Sequence, residues 1–192
     1  EILNCVRYHH GKLLANSNVD DNDLCYITYI ADNIASASDR KQREDNGDGS
    51  RGYVRNIPFE SIFNILNGNK EKKVYKPDVL SSKSEINYPT GENIIFSESF
   101  YGKIVDNIKD AIRGINYTKE YINSLLQVME SNLTFIPSST DKSQYVDISL
   151  YDHSKMTAAF GLCIEQYLVE NEITNYKEEL FKKTKEFYKK KV

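Results

Sequence analysis

Apolar side chains recur at helical spacing from the first residues. Ile2, Cys5, Val6, His9 and Leu13 fall on one stripe and predict a helix over residues 1–15. The polar stretch from Asn16 to Asn22 is rich in residues that favour turns and caps, and a second helix is expected from about residue 23 to 40. The charged, glycine-rich stretch over residues 41–55 predicts a loop. Pro58 then opens a short amphipathic helix through Phe59, Ile62, Phe63, Ile65 and Leu66, closed by Asn67-Gly68-Asn69. Between residues 70 and 99 the period is lost. Lys73-Val74-Tyr75 and Asn93-Ile94-Ile95-Phe96 suggest extended chain or a small hairpin, so residues 41–99 read as an insertion between helical layers.

The helical period returns at Tyr101. One face carries Ile104, Val105, Ile108, Ile112 and Ile115, and the next helix carries Tyr121, Ile122, Leu125, Leu126, Met129 and Leu133 before Pro137 stops it. Ser149, with an acid three residues on at Asp152, announces a further helix with the stripe Leu150, His153, Met156, Phe160, Cys163, Ile164, Tyr167 and Leu168. His153 is therefore expected to face the core. A last helix over residues 176–190 would bury Leu180, Phe181, Phe187 and Tyr188, with Lys189-Lys190-Lys191 as a solvated end. The fold class expected is mainly α: one helical domain over residues 1–192, with an irregular insertion at about 41–99 able to hold a short β-hairpin.

Charge and composition narrow the function. The net charge of −3 and pI near 5.7 leave no overall footprint for nucleic acid, so such binding must be local or supplied by a partner. Cys5, Cys25 and Cys163 are odd in number and set in apolar segments, as expected of buried free thiols in a reducing cytoplasm. No apolar run reaches the roughly 18–20 residues of a bilayer span, and no signal peptide opens the chain, so a cytoplasmic protein away from membranes is expected. The chain begins at Glu1 with its helical stripe already running, which reads as a fragment. Asn116-Tyr117-Thr118 and Asn132-Leu133-Thr134 match glycosylation sequons but read as helix-start and helix-surface residues. The loop around Asp45-Asn46-Gly47-Asp48 lacks the spacing and distal glutamate of a calcium loop.

Asp32 is the residue that asks for chemistry. It sits in the uncharged, largely apolar run from Tyr26 to Ser36, where an ionised carboxylate needs a cation, a partner charge or several hydrogen bonds. The chain's three histidines, His9, His10 and His153, all lie on or beside apolar stripes. Two or three imidazoles with a carboxylate, projecting from several helices, suit a divalent site that polarises a phosphate and acidifies a bound water. Helical phase favours His9 over His10 as the inward residue, although His10 shares a face with Leu3, Val6, Leu13 and Leu14. The plainer alternative is hydrogen-bonded core histidines, with Asp32 a cap or a partner of Arg40.

Several separated words point further. Val6-Arg7-Tyr8-His9-His10, the run from Tyr26 to Ser36 with Asp39-Arg40, Phe135-Ile136-Pro137-Ser138-Ser139-Thr140 and Asp147-Ile148-Ser149-Leu150-Tyr151-Asp152-His153-Ser154-Lys155 occur in one order. Together with Phe63-Asn64-Ile65 and the stretch from Asn175 to Phe181, they resemble the N-terminal HD domain of the large signature subunit of type III-A (Csm) CRISPR-Cas interference complexes. The resemblance implies a permuted HD-type helical bundle that uses a divalent metal of Mn or Ni type. It implies cutting of single-stranded DNA in antiviral defence, once the crRNA-guided complex has bound target RNA. The partners it implies are the other subunits of that complex, with crRNA and target RNA reached through them. His9 or His10 then looks like one of the metal-binding histidines, His153 like the superfamily's first histidine moved by permutation, and Asp32 like its late, catalytic aspartate.

The chain departs from the pattern in two places. No His-Asp doublet occurs in it, so the metal site is expected to be incomplete. The Gly-Gly-Asp-Asp word of the palm domains, which in the family make cyclic oligoadenylate from ATP, is also absent. Two readings of different class follow: part of a metal-dependent nuclease domain, or an interaction module with a vestigial HD site that docks other subunits. A small-nucleotide phosphohydrolase fits the ligand types, but no phosphate-cradling glycine loop supports it.

Overall fold

The computed structural model describes residues 1–41, 52–68, 70–80, 87–91, 93–116, 118, 120–184 and 186. The architecture is mainly α, with one two-stranded antiparallel sheet. Among the described residues the α-helices are α1 Ile2–Tyr8, α2 Gly11–Ala15, α3 Cys25–Asp39, α4 Phe63–Leu66, α5 Ser99–Arg113, α6 Tyr121–Leu133 and α7 Leu150–Glu170. The strands are β1 Phe59–Glu60 and β2 Val74–Tyr75, and a π-helical segment, Lys177–Lys182, follows α7. The chain divides into two compact units, Glu1–Asp39 with Ser154–Val192, and Arg40–His153. The second starts one residue before the segment marked as an insertion and also takes in α5 and α6.

The first unit is assembled on α3. Leu14, Cys25, Tyr26, Ile27, Leu168, Leu180 and Phe181 form its buried core. Asp23 begins α3: its carboxylate accepts the Cys25 N–H at 2.9 Å and the Asn4 side-chain amide at 2.7 Å, tying α1 to the start of α3. Burial alone would raise the Asp23 pKa, but these hydrogen bonds outweigh it and hold the carboxyl below its ordinary value. Burial, with the neighbouring Asp23 carboxylate, pushes the Cys25 thiol up to about 12, so it stays neutral and behaves as an apolar core residue. Burial likewise raises the Tyr26 hydroxyl, with Cys25, Asp21 and Asp23 adding to the effect.

The single helix expected over residues 1–15 is two helices. His10 adopts extended backbone (φ −93°, ψ 128°), and the chain restarts as α2. The physical reason lies in the next residue. A Cβ at Gly11 would stand 2.9–3.1 Å from the end of the Tyr29 ring, so the backbone comes down onto α3 where a side chain has no room. Tyr29 is itself met edge-on by Phe181, ring centroids 5.4 Å apart at 67°. The break also turns part of the expected stripe outward, leaving Ile2 81% and Val6 67% exposed.

Helix α7 ends in a Schellman arrangement. Ile173 N–H bonds the Leu168 carbonyl at 2.9 Å and Glu172 N–H bonds the Val169 carbonyl at 3.1 Å. Glu172 takes the left-handed conformation (φ 54°) usually given to glycine, while Ile173 packs back on the core that holds Leu168. Of the stripe expected on α7, Leu168 is fully buried but Met156, Cys163 and Tyr167 are exposed, so Cys163 is not the buried thiol expected. The last helix is π-helical over Lys177–Lys182. Its start is fixed by Lys177, whose N–H bonds the Asp21 carbonyl at 2.9 Å and whose ammonium meets the Asp21 carboxylate at 3.0 Å. Leu180 and Phe181 are buried as expected; Phe187, Tyr188 and the terminal lysines lie outside the described residues.

The second unit is held differently. β2 forms where Lys73-Val74-Tyr75 suggested it, but its partner is β1, in the segment expected to begin a helix, with Phe59 opposite Tyr75 and Glu60 opposite Val74. Asn93–Phe96 forms no strand; Val74 instead exchanges two 2.9 Å hydrogen bonds with Thr90. Buried Asn64 clamps the backbone of Lys73, donating to its carbonyl at 2.8 Å and accepting its N–H at 2.9 Å. The nearly buried Glu60 carboxylate meets Lys72 at 2.7 Å. A second core, Ile104, Leu133, Ile136 and Tyr151, joins α5 and α6 to the start of α7. Asn132 is buried and bonds the Val128 carbonyl at 2.8 Å, so it is not the surface residue expected. No helix among the described residues is long and apolar enough to cross a membrane.

Candidate functional site

The break between α1 and α2 sets the two adjacent histidines. His9 Nδ1 lies 2.7 Å from the Val6 carbonyl. A carbonyl only accepts, so in the neutral ring the proton sits on Nδ1 and the Nε2 lone pair is left as an acceptor or ligand. This bond also satisfies a carbonyl of the last turn of α1, which is why the ring is fixed there. His10 follows at the start of α2, its ring centroid 3.9 Å from that of His9 at 46°. His9 is half-buried and His10 exposed, in line with the preference that helical phase gave.

Asp32 is half-buried on α3 and takes part in an interaction in the structure. It lies three residues from Tyr29, the ring against which Gly11 packs, so the histidine pair and Asp32 reach neighbouring turns of the same packed region. On either side of Asp32, the buried Ala31 and Ala35 line the inner face of α3. Gly161 of α7 faces Ala31 and Ile27 there, and a Cβ at Gly161 would meet each side chain at 3.9 Å, an ordinary van der Waals contact. Small residues on both helices let the backbones come close, and Asp32 sits beside that contact.

His153 belongs to the second unit. It occupies the first turn of α7, half-buried and with an interaction partner, its N–H bonded to the Ser149 carbonyl at 3.0 Å. The expected cap is present: Ser149 Oγ accepts the Asp152 N–H at 3.0 Å and donates to the Asp152 carboxylate at 2.6 Å. Among the described residues no three His, Cys, Asp or Glu side chains are gathered in a way that could hold a metal ion. The donor types suit a divalent ion, with His9 Nε2 the best prepared, but these residues fit part of such a centre rather than a whole one. Hydrophobic periodicity missed Gly11 and the chain break it permits. The signal was present as a glycine directly after the histidine pair.

No family profile matches the chain. Individual relatives do. Over 97% of its length it is 40% identical to the CRISPR system single-strand-specific deoxyribonuclease Cas10/Csm1 (subtype III-A) of Enterococcus italicus. The chain belongs to the Cas10/Csm1 family. Cas10/Csm1 proteins of Streptococcus thermophilus and Mycobacterium tuberculosis are 38% and 35% identical over 95% and 99% of the chain. The match covers 26%, 24% and 24% of these three Cas10/Csm1 proteins, so the chain spans about a quarter of the length of the relatives it matches. A solved Csm1–Csm4 cassette in complex with cA4 aligns with 72% of this chain and 16% of that one, at 30% identity and a TM-score of 0.49.

Proposed function

We propose that this chain is part of the metal-dependent, single-strand-specific deoxyribonuclease of a type III-A CRISPR effector subunit. The observation that carries the reading is the 40% identity, over 97% of the chain, to a relative named for that activity. In this reading His9, His10, Asp32 and His153 contribute to a divalent site of Mn or Ni type that other parts of a longer protein complete. Such an ion, when bound, polarises a phosphate and lowers the pKa of a water. The role of the chain's own residues is narrower. The Val6 carbonyl holds the His9 ring with Nε2 free to coordinate, and Asp32 supplies a carboxylate beside the face of α3 that meets α7. The other complex subunits, crRNA, target RNA and a single-stranded DNA substrate are the partners this function requires. ATP-derived cyclic oligoadenylate would come from palm domains elsewhere in the protein.

The test uses full-length protein carrying this segment, supplied with Mn and single-stranded DNA. Asp32→Ala, His153→Ala and His9→Ala are each expected to lower cleavage by about 100-fold or more and to reduce bound Mn measured by mass spectrometry. If all three cut and load metal like the parent, the ligand assignment is wrong.

A second reading rests on α1. Ile2, Leu3 and Val6 expose 81%, 82% and 67% of their surface, as expected of a face that docks another part of the complex. An interaction module with a vestigial HD site would show no metal and no cleavage in the full-length protein, while Ile2→Asp with Val6→Asp, both on that exposed face, would disrupt complex assembly.

A further inference from the structure

The second unit holds a cavity of about 470 Å³ whose lining includes Lys76, Asn93, Phe96, Ser97, Phe100 and Lys103. Its aromatic wall is built in advance. Phe96 and Phe100 meet edge to face, centroids 6.0 Å apart at 76°, and both meet Tyr101 edge-on at 5.9 and 6.2 Å. The Tyr101 hydroxyl donates to the Arg55 carbonyl at 2.7 Å and the Asn56 amide to the Phe96 carbonyl at 3.4 Å, so the cluster is tethered. Phe96 and Phe100 are half-buried, leaving part of each ring open.

Two lysines beside these rings are available to an anion, while the nearby Glu98 is paired with Arg55. Lys76 and Lys103 are exposed and pair with no described carboxylate, whereas Arg55, Lys109 and Arg113 of the same unit pair with Glu98, Asp106 and Asp110. Among the described residues no Asp or Glu lines the cavity. Asn93 and Ser97 add an amide and a hydroxyl for hydrogen bonding. An anion that also carries a flat π-face satisfies all of these groups at once.

We infer that this cavity binds a single-stranded polynucleotide, one base against Phe96 and Phe100 and the flanking phosphates on Lys76 and Lys103. A duplex hides its base faces in the stack, so the strand must be single. The site is local, as a chain of net charge −3 requires. It goes beyond the nuclease reading, because none of its groups is among His9, His10, Asp32 and His153.

Binding is measured on the whole chain by fluorescence anisotropy with labelled oligothymidylate and oligouridylate, in EDTA so that no metal-dependent cutting intervenes. Phe96→Ala is expected to weaken binding roughly tenfold, and Phe96→Tyr to bind like the parent. Lys76→Gln and Lys103→Gln should each weaken binding and lower the salt slope by about 0.7. If Phe96→Ala unfolds, as judged by circular dichroism, Phe96→Leu replaces it and carries the same expectation. Preference for either labelled strand supports the site and identifies which strand it takes. Unchanged affinity in the aromatic and lysine variants overturns it, as does equally tight binding of a duplex or of an acidic, aromatic peptide. Because cleavage is not read, failure of the nuclease reading leaves this result standing.

Discussion

The two compact units of this chain solve the same problem with different materials. The first buries Leu14, Cys25, Tyr26, Ile27, Ala31, Ala35, Leu168, Leu180 and Phe181, and among its described residues Ser36 is the one polar side chain buried with them. The second buries a shorter apolar set together with Glu60, Ser61, Asn64, Asn132, Gln144, Asp147 and Ser149. One unit is held by helix faces and the other largely by side chains that bond to backbone. Burying apolar surface tolerates small shifts in geometry, whereas a buried amide or carboxylate is stable only while its partners stay in place. The first unit should therefore be sensitive to lost volume and the second to lost hydrogen bonds.

The largest effect that would sharpen this contrast is expected from Leu168→Ala. Leu168 is fully buried, so the truncation should cost about 3 kcal/mol in urea unfolding. Hydrogen exchange should show the loss in the amides of Cys25–Asp39. A cost below about 1 kcal/mol would break the picture of a volume-limited core.

Asn64→Ala comes next, at about 2 kcal/mol, because it strands the N–H of Lys73 and leaves its carbonyl with the Ser61 N–H alone, while removing little apolar surface. Its signature should be faster exchange at Val74 and Ser61, which belong to or bond the same short sheet. Asn64→Leu separates the effects: if restoring volume restores stability, hydrogen bonds are not what holds the second unit.

The smallest effect runs the other way. Glu172 holds a left-handed backbone at the C-terminal cap of α7, and Glu172→Gly should raise stability by about 0.5–1 kcal/mol. A destabilised Glu172→Gly in thermal unfolding would mean that the Glu172 side chain contributes more than its backbone strain costs.

The same contrast explains which parts of the fold were legible in the sequence. Helices α3, α5, α6 and α7 were read from apolar period close to their observed limits, because burying one face of a helix imposes that period. The Ser149 cap was legible because its spacing to Asp152 is set by the turn of the helix itself. What escaped was set by partners distant in sequence. β1 pairs with a strand fourteen or more residues away, and the clamp of Asn64 on Lys73 has no periodic signature. The π-helical register that buries both Leu180 and Phe181 leaves no mark distinct from an α-helix. At the candidate site, residue type alone singles out the histidine pair and Asp32. It does not reveal the break between His9 and His10, which arises from the fit of Gly11 against Tyr29.

That fit has a consequence for mapping function by saturation mutagenesis. Any side chain at Gly11 must displace the end of the Tyr29 ring, which also meets Phe181 edge-on. A screen that scores activity alone would mark Gly11 as indispensable and, because it adjoins His9 and His10, credit it with chemistry it does not perform. Pairing each Gly11 variant with Tyr29→Ala, which empties the space, separates the two: a positional tolerance that returns with the smaller partner belongs to steric fit, and one that does not belongs to the reaction.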